Sequence, residues 1–202
     1  MTQEIFRSSG VILTGGGSRR MGRDKLSLEI DGQPILAHVQ KTVAAACDET
    51  ILVGEGFGAG EGRRVPDIRP GKAGPLAGIE AGLAAARYPL VFVAAGDMPF
   101  LNVALIEHLI SRLRTSNPSV VAPYHDGRPH PLCAAYRRDL LPQVSDALDG
   151  DVRAVREFLS GLDGVEYVEE LGGCGDPDVT LMNVNSPEDL GRARAVAARE
   201  LR

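Results

Sequence analysis

The sequence predicts an α/β protein, a three-layer sandwich in which helices cover both faces of a mostly parallel sheet. Short apolar or β-branched runs alternate with helical patterns along the chain, which is typical of this class. The run Leu90–Ala95 is continuously apolar, as expected for a strand covered on both faces. A length of 202 residues with 44% hydrophobic residues suits one domain that buries about 70% of the surface of its unfolded chain. We therefore expect a single domain over residues 1–202.

The elements follow from local patterns, taken in chain order. Strands are predicted from apolar runs at 11–13, 50–53, 90–95, 120–122, 132–136, 165–168 and 181–184, and helices from apolar spacing at 35–46, 75–86, 103–114, 138–148, 152–159 and from 187 onward. Pro75 and Pro187 suit the first turn of a helix, and Ser186 is predicted to cap the last one. Asp126-Gly127 is a turn signal, so the segment 126–136 is predicted to be a small antiparallel excursion from the sheet.

Composition and charge exclude several classes of protein. The formal net charge is −5, which gives no general attraction to a nucleic acid polymer or to an anionic membrane surface. No apolar run approaches the ~18 residues of a membrane span, and no signal peptide pattern opens the chain. The three cysteines lack the spacing of a disulfide framework or a zinc site. We expect a cytoplasmic protein that binds neither a nucleic acid polymer nor a membrane.

A glycine-rich, basic loop follows the first predicted strand, at residues 15–25. It carries four cations within seven residues, and glycine exposes backbone N–H groups that can converge on an anion. Such a loop suits a diphosphate or triphosphate. A P-loop is excluded because Leu26 follows Lys25, and a dinucleotide-binding fingerprint is excluded because Arg20 replaces its third glycine. A solvated basic loop without a ligand remains the alternative.

A single acid follows the most apolar strand, in the sequence Gly96-Asp97-Met98-Pro99. A carboxylate where a buried strand emerges is costly unless a cation neutralises it. Asp97 is therefore a candidate ligand for Mg²⁺, which takes carboxylate and phosphate oxygens and keeps several waters. An Asp that only accepts hydrogen bonds from turn amides is the alternative.

Three further features are candidates for contact with a ligand. Asp67 precedes a glycine-bearing loop that could lie against a base or ribose. Gly78 and Gly82 share a helical face, which fits close approach of a ligand and helix–strand packing equally well. If 181–184 is a strand, Asn183 and Asn185 project on one face and can bind a ligand or complete a metal shell; capping of a turn is the alternative.

Taken together, these motifs resemble the molybdenum cofactor guanylyltransferases, within the broader nucleotidyltransferases. The matches fall in chain order over nearly the whole sequence. They are Leu13-Thr14-Gly15-Gly16, Arg20-Met21-Gly22, Asp24-Lys25, Gly74-Pro75-Leu76-Ala77-Gly78, Gly96-Asp97-Met98-Pro99, His130-Pro131 and Asn183-Val184-Asn185-Ser186-Pro187-Glu188. The chain departs from the family at Thr14, where alanine is usual, and at Gly54, where some members have an asparagine near the base.

The resemblance implies a Rossmann-like nucleotidyltransferase that transfers GMP from GTP to molybdenum-bound molybdopterin and releases pyrophosphate. It implies Mg²⁺, with Mn²⁺ as the alternative ion. The nucleotide would bind to the N-terminal half, at Leu13, Thr14, Gly15, Gly16, Lys25, Asp67, Gly78, Gly82 and Asp97. The catalytic residues would be Lys25, Arg19 and Asp97, with Asp97 also the metal ligand. Molybdopterin would bind to the C-terminal half, at Arg153, Asn183 and Asn185.

The resemblance also allows transient contacts with other proteins of molybdenum cofactor biosynthesis or with chaperones of its target enzymes. Three alternatives stay open at this stage. The first is a relative that uses CTP, the second a relative that acts on a sugar phosphate, and the third a regulatory module that binds a nucleotide without catalysis. Because the acceptor would be an ionised phosphate monoester, no strong general base is required, and the task is to align two anions and neutralise charge.

Overall fold

The structure is a computed structural model that describes residues 7–15, 25–54, 62–69 and 74–200. The strands of the described residues, in chain order, are β1 (Ser8–Leu13), β2 (Glu29–Ile30), β3 (Gln33–Pro34), β4 (Glu49–Val53), β5 (Arg63–Val65), β6 (Leu90–Ala95), β7 (Val120–His125), β8 (Arg128–Pro129), β9 (Cys133–Arg137) and β10 (Val165–Val168). The helices are α1 (Ile35–Ala46), α2 (Gly74–Ala85), α3 (Val103–Thr115), α4 (Leu141–Asp149), α5 (Val155–Ser160), α6 (Pro177–Thr180) and α7 (Pro187–Glu200).

The main sheet has the strand order β10-β7-β9-β6-β1-β4-β5. Strand β1 pairs in parallel with β4 and β6, β4 with β5, and β7 with β10. Strand β9 runs antiparallel to both of its neighbours, β6 and β7. The predicted mostly parallel sheet is therefore confirmed, and the carboxyl ends of β1, β4, β5 and β6 lie at one edge.

Helices cover both faces of this sheet, which confirms the predicted three layers. Alternate residues of β1 point to opposite sides, because successive side chains of a strand alternate. Val11 packs in the core cluster that includes α2, α4 and α5, whereas Ile12 packs in the cluster that includes α1 and α3. Both side chains are fully buried.

The predicted antiparallel segment at 126–136 is confirmed, and it begins with a tight turn. Asp126 and Gly127 have φ values of 50° and 68°, the left-handed conformations that a two-residue hairpin turn requires. The partner strand of this hairpin is β8, which lies beside β7. The next strand, β9, enters the centre of the main sheet.

Several element predictions need correction. The predicted strand at 181–184 is wrong, since these residues form a loop after the short helix α6. The predicted helix at 138–148 divides into a 3-10 turn at Arg138–Leu140 and helix α4, and the helix predicted from 152 begins at Val155. The prediction omitted β5, the small β2–β3 sheet, β8 and α6, because such short elements carry too few residues for a periodic pattern.

Helix α1 has the predicted bounds, and the predicted cap of α7 is confirmed. The Asp189 N–H donates to Ser186 Oγ at 3.1 Å, as in a capped first turn. Within the described part of the chain, no helix has the length and apolar character needed to cross a membrane.

Candidate active site at the carboxyl edge of the sheet

Backbone hydrogen bonds tie the loops after four parallel strands together. Thr14 N–H donates to the Val53 carbonyl at 2.9 Å, and Gly54 N–H donates to the Val65 carbonyl at 3.1 Å. Gly96 N–H donates to the Leu13 carbonyl at 3.0 Å. Each bond continues a parallel ladder one residue beyond its strand, so the residues that follow β1, β4, β5 and β6 converge on one place.

The turn after β1 lies directly against the turn after β4. Gly54 has φ +103°, and a Cβ atom on it would lie 2.7 Å from Gly15 N and 2.9 Å from Gly15 Cα. Real Cβ atoms do not approach backbone this closely, so only glycine fits here. Glycine at position 54 thus has a structural reason, since it lets the backbone after β1 and the backbone after β4 come into contact.

Thr14 is buried and its hydroxyl also donates to the Val53 carbonyl, at 2.9 Å. The side chain of this residue therefore anchors the turn.

Asp67 lies at the same edge, next to Gly15. A Cβ on Gly15 would lie 3.7 Å from Asp67 Oδ2, which is ordinary van der Waals contact. Asp67 is exposed and follows β5 by two residues. The structure therefore brings together the two nucleotide-binding residues that the sequence predicts after β1 and β5.

Lys25 joins the loop after β6 to the segment before α7. Its Nζ donates to Asp97 Oδ2 in a short ion pair, and it donates to Asn185 Oδ1 at 2.9 Å. Asn185 is 160 positions away in sequence, so only the fold makes this contact. The carboxylate of Asp97 is largely buried, with 10% of its side chain exposed.

The capped start of α7 fixes the position of Asn185. Asp189 Oδ2 accepts hydrogen bonds from the N–H groups of Asn185 and Ser186, both at 3.0 Å. Although burial opposes it, the hydrogen bonds from Arg192 and from these amides hold the pKa of Asp189 below its ordinary value. One residue earlier, Val184 N–H donates to the Asp97 carbonyl at 2.9 Å. The backbone at Asn185 is therefore held by hydrogen bonds on both sides of the residue.

Asp97 also has a carboxylate oxygen that is suited to bind a metal ion. Its Oδ1 atom is buried and has no hydrogen-bond partner among the described residues. An ionised oxygen without a partner is costly in a buried place unless a cation approaches it. The described residues contain no group of three or more acidic, His or Cys side chains that could hold a metal. The single carboxylate of Asp97 fits Mg²⁺, which commonly uses one or two carboxylates and completes its shell with waters and phosphate oxygens.

Gly78 and Gly82 lie between α2 and β1, where their packing is tight. A Cβ on Gly78 would lie 3.1 Å from Leu13 Cδ2, and one on Gly82 would lie 2.6 Å from Val11 Cγ1. Both glycines are buried. The structure thus supports the helix–strand packing alternative, and a direct part in nucleotide binding stays a prediction.

Of the two predicted asparagines, Asn185 contacts Lys25 as described, whereas Asn183 donates to the Leu181 carbonyl of its own loop at 3.2 Å. The two side chains do not project from one face of a strand, because the segment is not a strand. Arg153 is half exposed and pairs with Asp151 at 2.8 Å. Its backbone packs on the start of α2, where a Cβ on Gly74 would lie 3.0 Å from the Arg153 carbonyl oxygen.

Two histidines near the ends of β7 and β9 were given no role of their own in the sequence argument. His125 Nε2 lies 2.7 Å from Asp178 Oδ1, next to the loop that leads to Asn185. His130 Nε2 is buried with no hydrogen-bond partner in the described part of the chain. Burial, helped by the charge of Arg128, lowers the pKa of His130, so its ring is neutral near neutral pH. Only the His130-Pro131 motif pointed to this residue.

The predicted residues Gly16 and Arg19, with most of the basic loop, lie outside the described residues.

The class of this protein follows from the fold and the arrangement of these side chains. A mostly parallel α/β sandwich with a glycine turn, a lysine and a lone acid at the carboxyl ends of adjacent strands is the arrangement of a nucleotidyltransferase. A family model described as the MobA-like NTP transferase domain matches residues 10–166. The chain belongs to this family.

Relatives match over nearly the full length. A probable molybdenum cofactor guanylyltransferase of Pelotomaculum thermopropionicum is 34% identical, over 96% of this chain and 95% of the relative. A molybdenum cofactor guanylyltransferase of Pseudomonas entomophila is 33% identical, over 94% and 100%. The crystal structure of molybdopterin-guanine dinucleotide biosynthesis protein A from Archaeoglobus fulgidus superposes with a TM-score of 0.81 at 26% identity, over 95% of this chain and 99% of that one.

Proposed function

We propose that this enzyme is a molybdenum cofactor guanylyltransferase, which transfers GMP from GTP to the phosphate of molybdenum-bound molybdopterin. The observation that carries this proposal is the contact of Lys25 with both Asp97 and Asn185 at the carboxyl edge of the sheet. It supports the proposal because it joins residues from three of the motifs that the sequence shares with this family. The relatives with this name match almost the whole chain.

The reaction exchanges one phosphoanhydride bond for another. An oxygen of the acceptor phosphate attacks the α-phosphorus of GTP, and the bond from that phosphorus to the bridging oxygen of pyrophosphate breaks. The electron pair of the broken bond leaves with pyrophosphate. Since the attacking monoester is already ionised near neutral pH, no side chain has to remove a proton, and the enzyme has to align two anions.

Lys25 supplies fixed positive charge for this reaction. An ammonium group has three N–H donors, and the Lys25 group uses two of them on Asp97 and Asn185. Neither contact uses the third donor, which we assign to a phosphate oxygen. Because its two partners hold the ammonium in place, little reorganisation is required when charge develops on the leaving pyrophosphate. We assign Arg19 to the same task.

Asp97 would hold Mg²⁺, or Mn²⁺, through its unpartnered Oδ1. The bound cation would offset the charge of the phosphate oxygens that approach each other. The chain's own contribution is to hold this carboxylate in a fixed position. Lys25 neutralises the other oxygen, and the Val184 amide holds the backbone of Asp97.

We assign the nucleotide to the N-terminal half and molybdopterin to the C-terminal half of a single domain. Backbone of Leu13, Thr14, Gly15 and Gly16 and the carboxylate of Asp67 would contact the nucleotide. Arg153, beside the start of α2, and Asn183 would face the acceptor. The exposed guanidinium of Arg153 has only Asp151 as an ion-pair partner in the described chain, so it can also bind an anionic acceptor.

Release of pyrophosphate from each of the four NTPs, measured with molybdenum-loaded molybdopterin and Mg²⁺, tests this function. We expect release from GTP and little from ATP, CTP or UTP. Preference for CTP would make the enzyme a cytidylyltransferase and overturn the guanylyl assignment. GTP binding without any release would indicate a regulatory module, and release only with a sugar phosphate as acceptor would exclude molybdopterin.

A further inference from the structure

An ion-pair cluster centred on Arg69 lies beside the candidate site, and the proposed reaction does not use it directly. The Arg69 guanidinium forms a two-pronged contact with Glu80 of α2, with Nε–Oε2 2.8 Å and Nη2–Oε1 2.7 Å. It also donates to the Ser145 carbonyl of α4 at 3.2 Å and pairs with Asp149. Ser145 Oγ donates to Glu80 Oε1 at 2.8 Å.

This cluster is built around a buried charge. Only 4% of the Glu80 side chain is exposed, against 69% of Asp149. A buried carboxylate needs both charge compensation and hydrogen bonds, and an arginine that contacts both oxygens supplies them in a fixed orientation. The bonds from Arg69 and Ser145 satisfy Glu80, so the position of the guanidinium is determined by the helices beneath it.

The segment between β5 and Arg69 carries Asp67 at the surface of the protein. Pro66, Asp67 and Ile68 are all exposed, Ile68 to 56%. On one side the segment is held by β5, through the Gly54–Val65 hydrogen bond. On the other side Arg69, two positions after Asp67, pairs with the buried carboxylate of Glu80.

We infer that Arg69 is a positioning residue for nucleotide binding, which holds the Asp67 segment against Gly15 by its pairing with Glu80. The inference rests on the proposed function, in which Asp67 contacts the nucleotide. It extends that function because it names what holds the exposed loop in place, namely the ion pair between Arg69 and the buried Glu80 of α2. The additional bonds to α4 link this nucleotide contact to the C-terminal half of the domain.

A pair of variants separates positioning from stability. Arg69→Met leaves Glu80 buried and unpaired, so the urea midpoint of unfolding should fall. Arg69→Met/Glu80→Met replaces the pair by apolar side chains, which are often neutral or stabilising in such places, and the midpoint should return to near the wild-type value. The dissociation constant of Mg-GTP, measured by titration calorimetry, should nonetheless stay at least tenfold weaker in the double variant.

The effect should also act through Asp67. In an Asp67→Ala background, adding the two methionines should change the dissociation constant by less than twofold, because the contact that they disturb is already absent. Arg112→Met, which breaks the Arg112–Glu166 pair between α3 and β10, is the matched control and should leave GTP affinity unchanged.

Each outcome decides the inference. GTP affinity of the double variant within twofold of wild type would show a merely structural pair and overturn the inference, with the proposed function intact. An equal loss of affinity with and without Asp67 would overturn it as well. If the wild-type protein itself bound no GTP, the proposed function would fail, and the inference with it.

Discussion

Asp97 shows how one carboxylate can serve catalysis at little cost to folding. Its Oδ1 is buried without a hydrogen-bond partner in the described chain, so this carboxylate adds less stability than a fully paired one would. We expect Asp97→Asn to lower pyrophosphate release at least ~100-fold. The free energy of unfolding in metal-free buffer should change by no more than ~1 kcal/mol, since the lost ion pair and the relieved buried charge offset each other.

Steady-state kinetics and urea denaturation measure these two quantities. Asp146→Asn, at an exposed position of α4, is the matched control and should leave both unchanged. Full activity of Asp97→Asn would contradict the metal assignment.

Lys25, whose side chain is 22% exposed, should matter for turnover far more than the exposed Lys41. Lys25→Ala removes the cation that contacts both Asp97 and Asn185, and loss of one charged contact in such a site costs ~3–4 kcal/mol, or two to three powers of ten in kcat. Lys41→Ala, on the exposed side of α1, should have no effect. A change of only twofold for Lys25→Ala would mean that the lysine is not in contact with the reacting phosphates.

Gly54 combines a left-handed backbone conformation with a close approach to the backbone of Gly15. Gly54→Ala would place a Cβ 2.7 Å from Gly15 N in a left-handed conformation, which costs about 1–3 kcal/mol of stability and displaces the turn after β1. GTP affinity should fall roughly tenfold. Gly32 also has a positive φ, +70°, but open space surrounds it. Gly32→Ala should therefore lower stability and leave GTP affinity unchanged. Equal GTP affinity in the two variants would disprove the role of this contact.

At the scale of the element, helix α2 depends on glycine to reach the sheet. Gly82→Ala would place a Cβ 2.6 Å from Val11 Cγ1, in a core that is fully buried, and should destabilise the protein by about 1–3 kcal/mol. Gly191→Ala, within α7 and facing open space, should instead stabilise it by about 0.5–1 kcal/mol. Urea denaturation of both variants is the measurement, and a loss of the same size at Gly191 would contradict the packing argument.

The elements also show where local patterns succeed. Helix α1 was predictable because its apolar spacing is regular over 12 residues, and the start of α7 because Ser186 and Pro187 are strong local signals. The strand predicted at 181–184 is wrong because the alternation of apolar and amide residues at 182–185 is typical of a strand, while the hydrogen bond from Val184 N–H to the Asp97 carbonyl holds this backbone as a loop. A tertiary hydrogen bond prevailed over a pattern of four residues.

At the scale of the whole molecule, stability should depend on pH through Glu80. Hydrogen bonds from Arg69, against the opposing effect of burial, lower the pKa of Glu80 below its ordinary value of 4.5. Because the folded pKa is the lower one, the stabilisation is fully present above the ordinary value and is lost as the pH falls through the folded pKa. The free energy of unfolding, measured from about pH 6 to pH 3, should decline less steeply in Glu80→Gln than in wild type. Identical slopes would show that Glu80 does not contribute.

The sequence by itself determined the class of fold, the placement of candidate residues after parallel strands, and the family. These rest on local periodicity, on glycine and proline at turns, and on short motifs, all of which are properties of neighbouring residues. The candidate residues Lys25, Asp97 and Asn185 were each identified singly from such signals, and their proposed roles stay predictions.

Only the tertiary structure decided how distant segments meet. It placed β9 between β6 and β7, brought Asn185 to Lys25 across 160 positions, and paired Arg69 with Glu80 beneath an exposed loop. The physical reason is that strand order and side-chain pairing depend on which long-range contacts bury apolar surface and pair buried charges such as Glu80. That balance is a property of the complete packed chain, and no window of the sequence contains it.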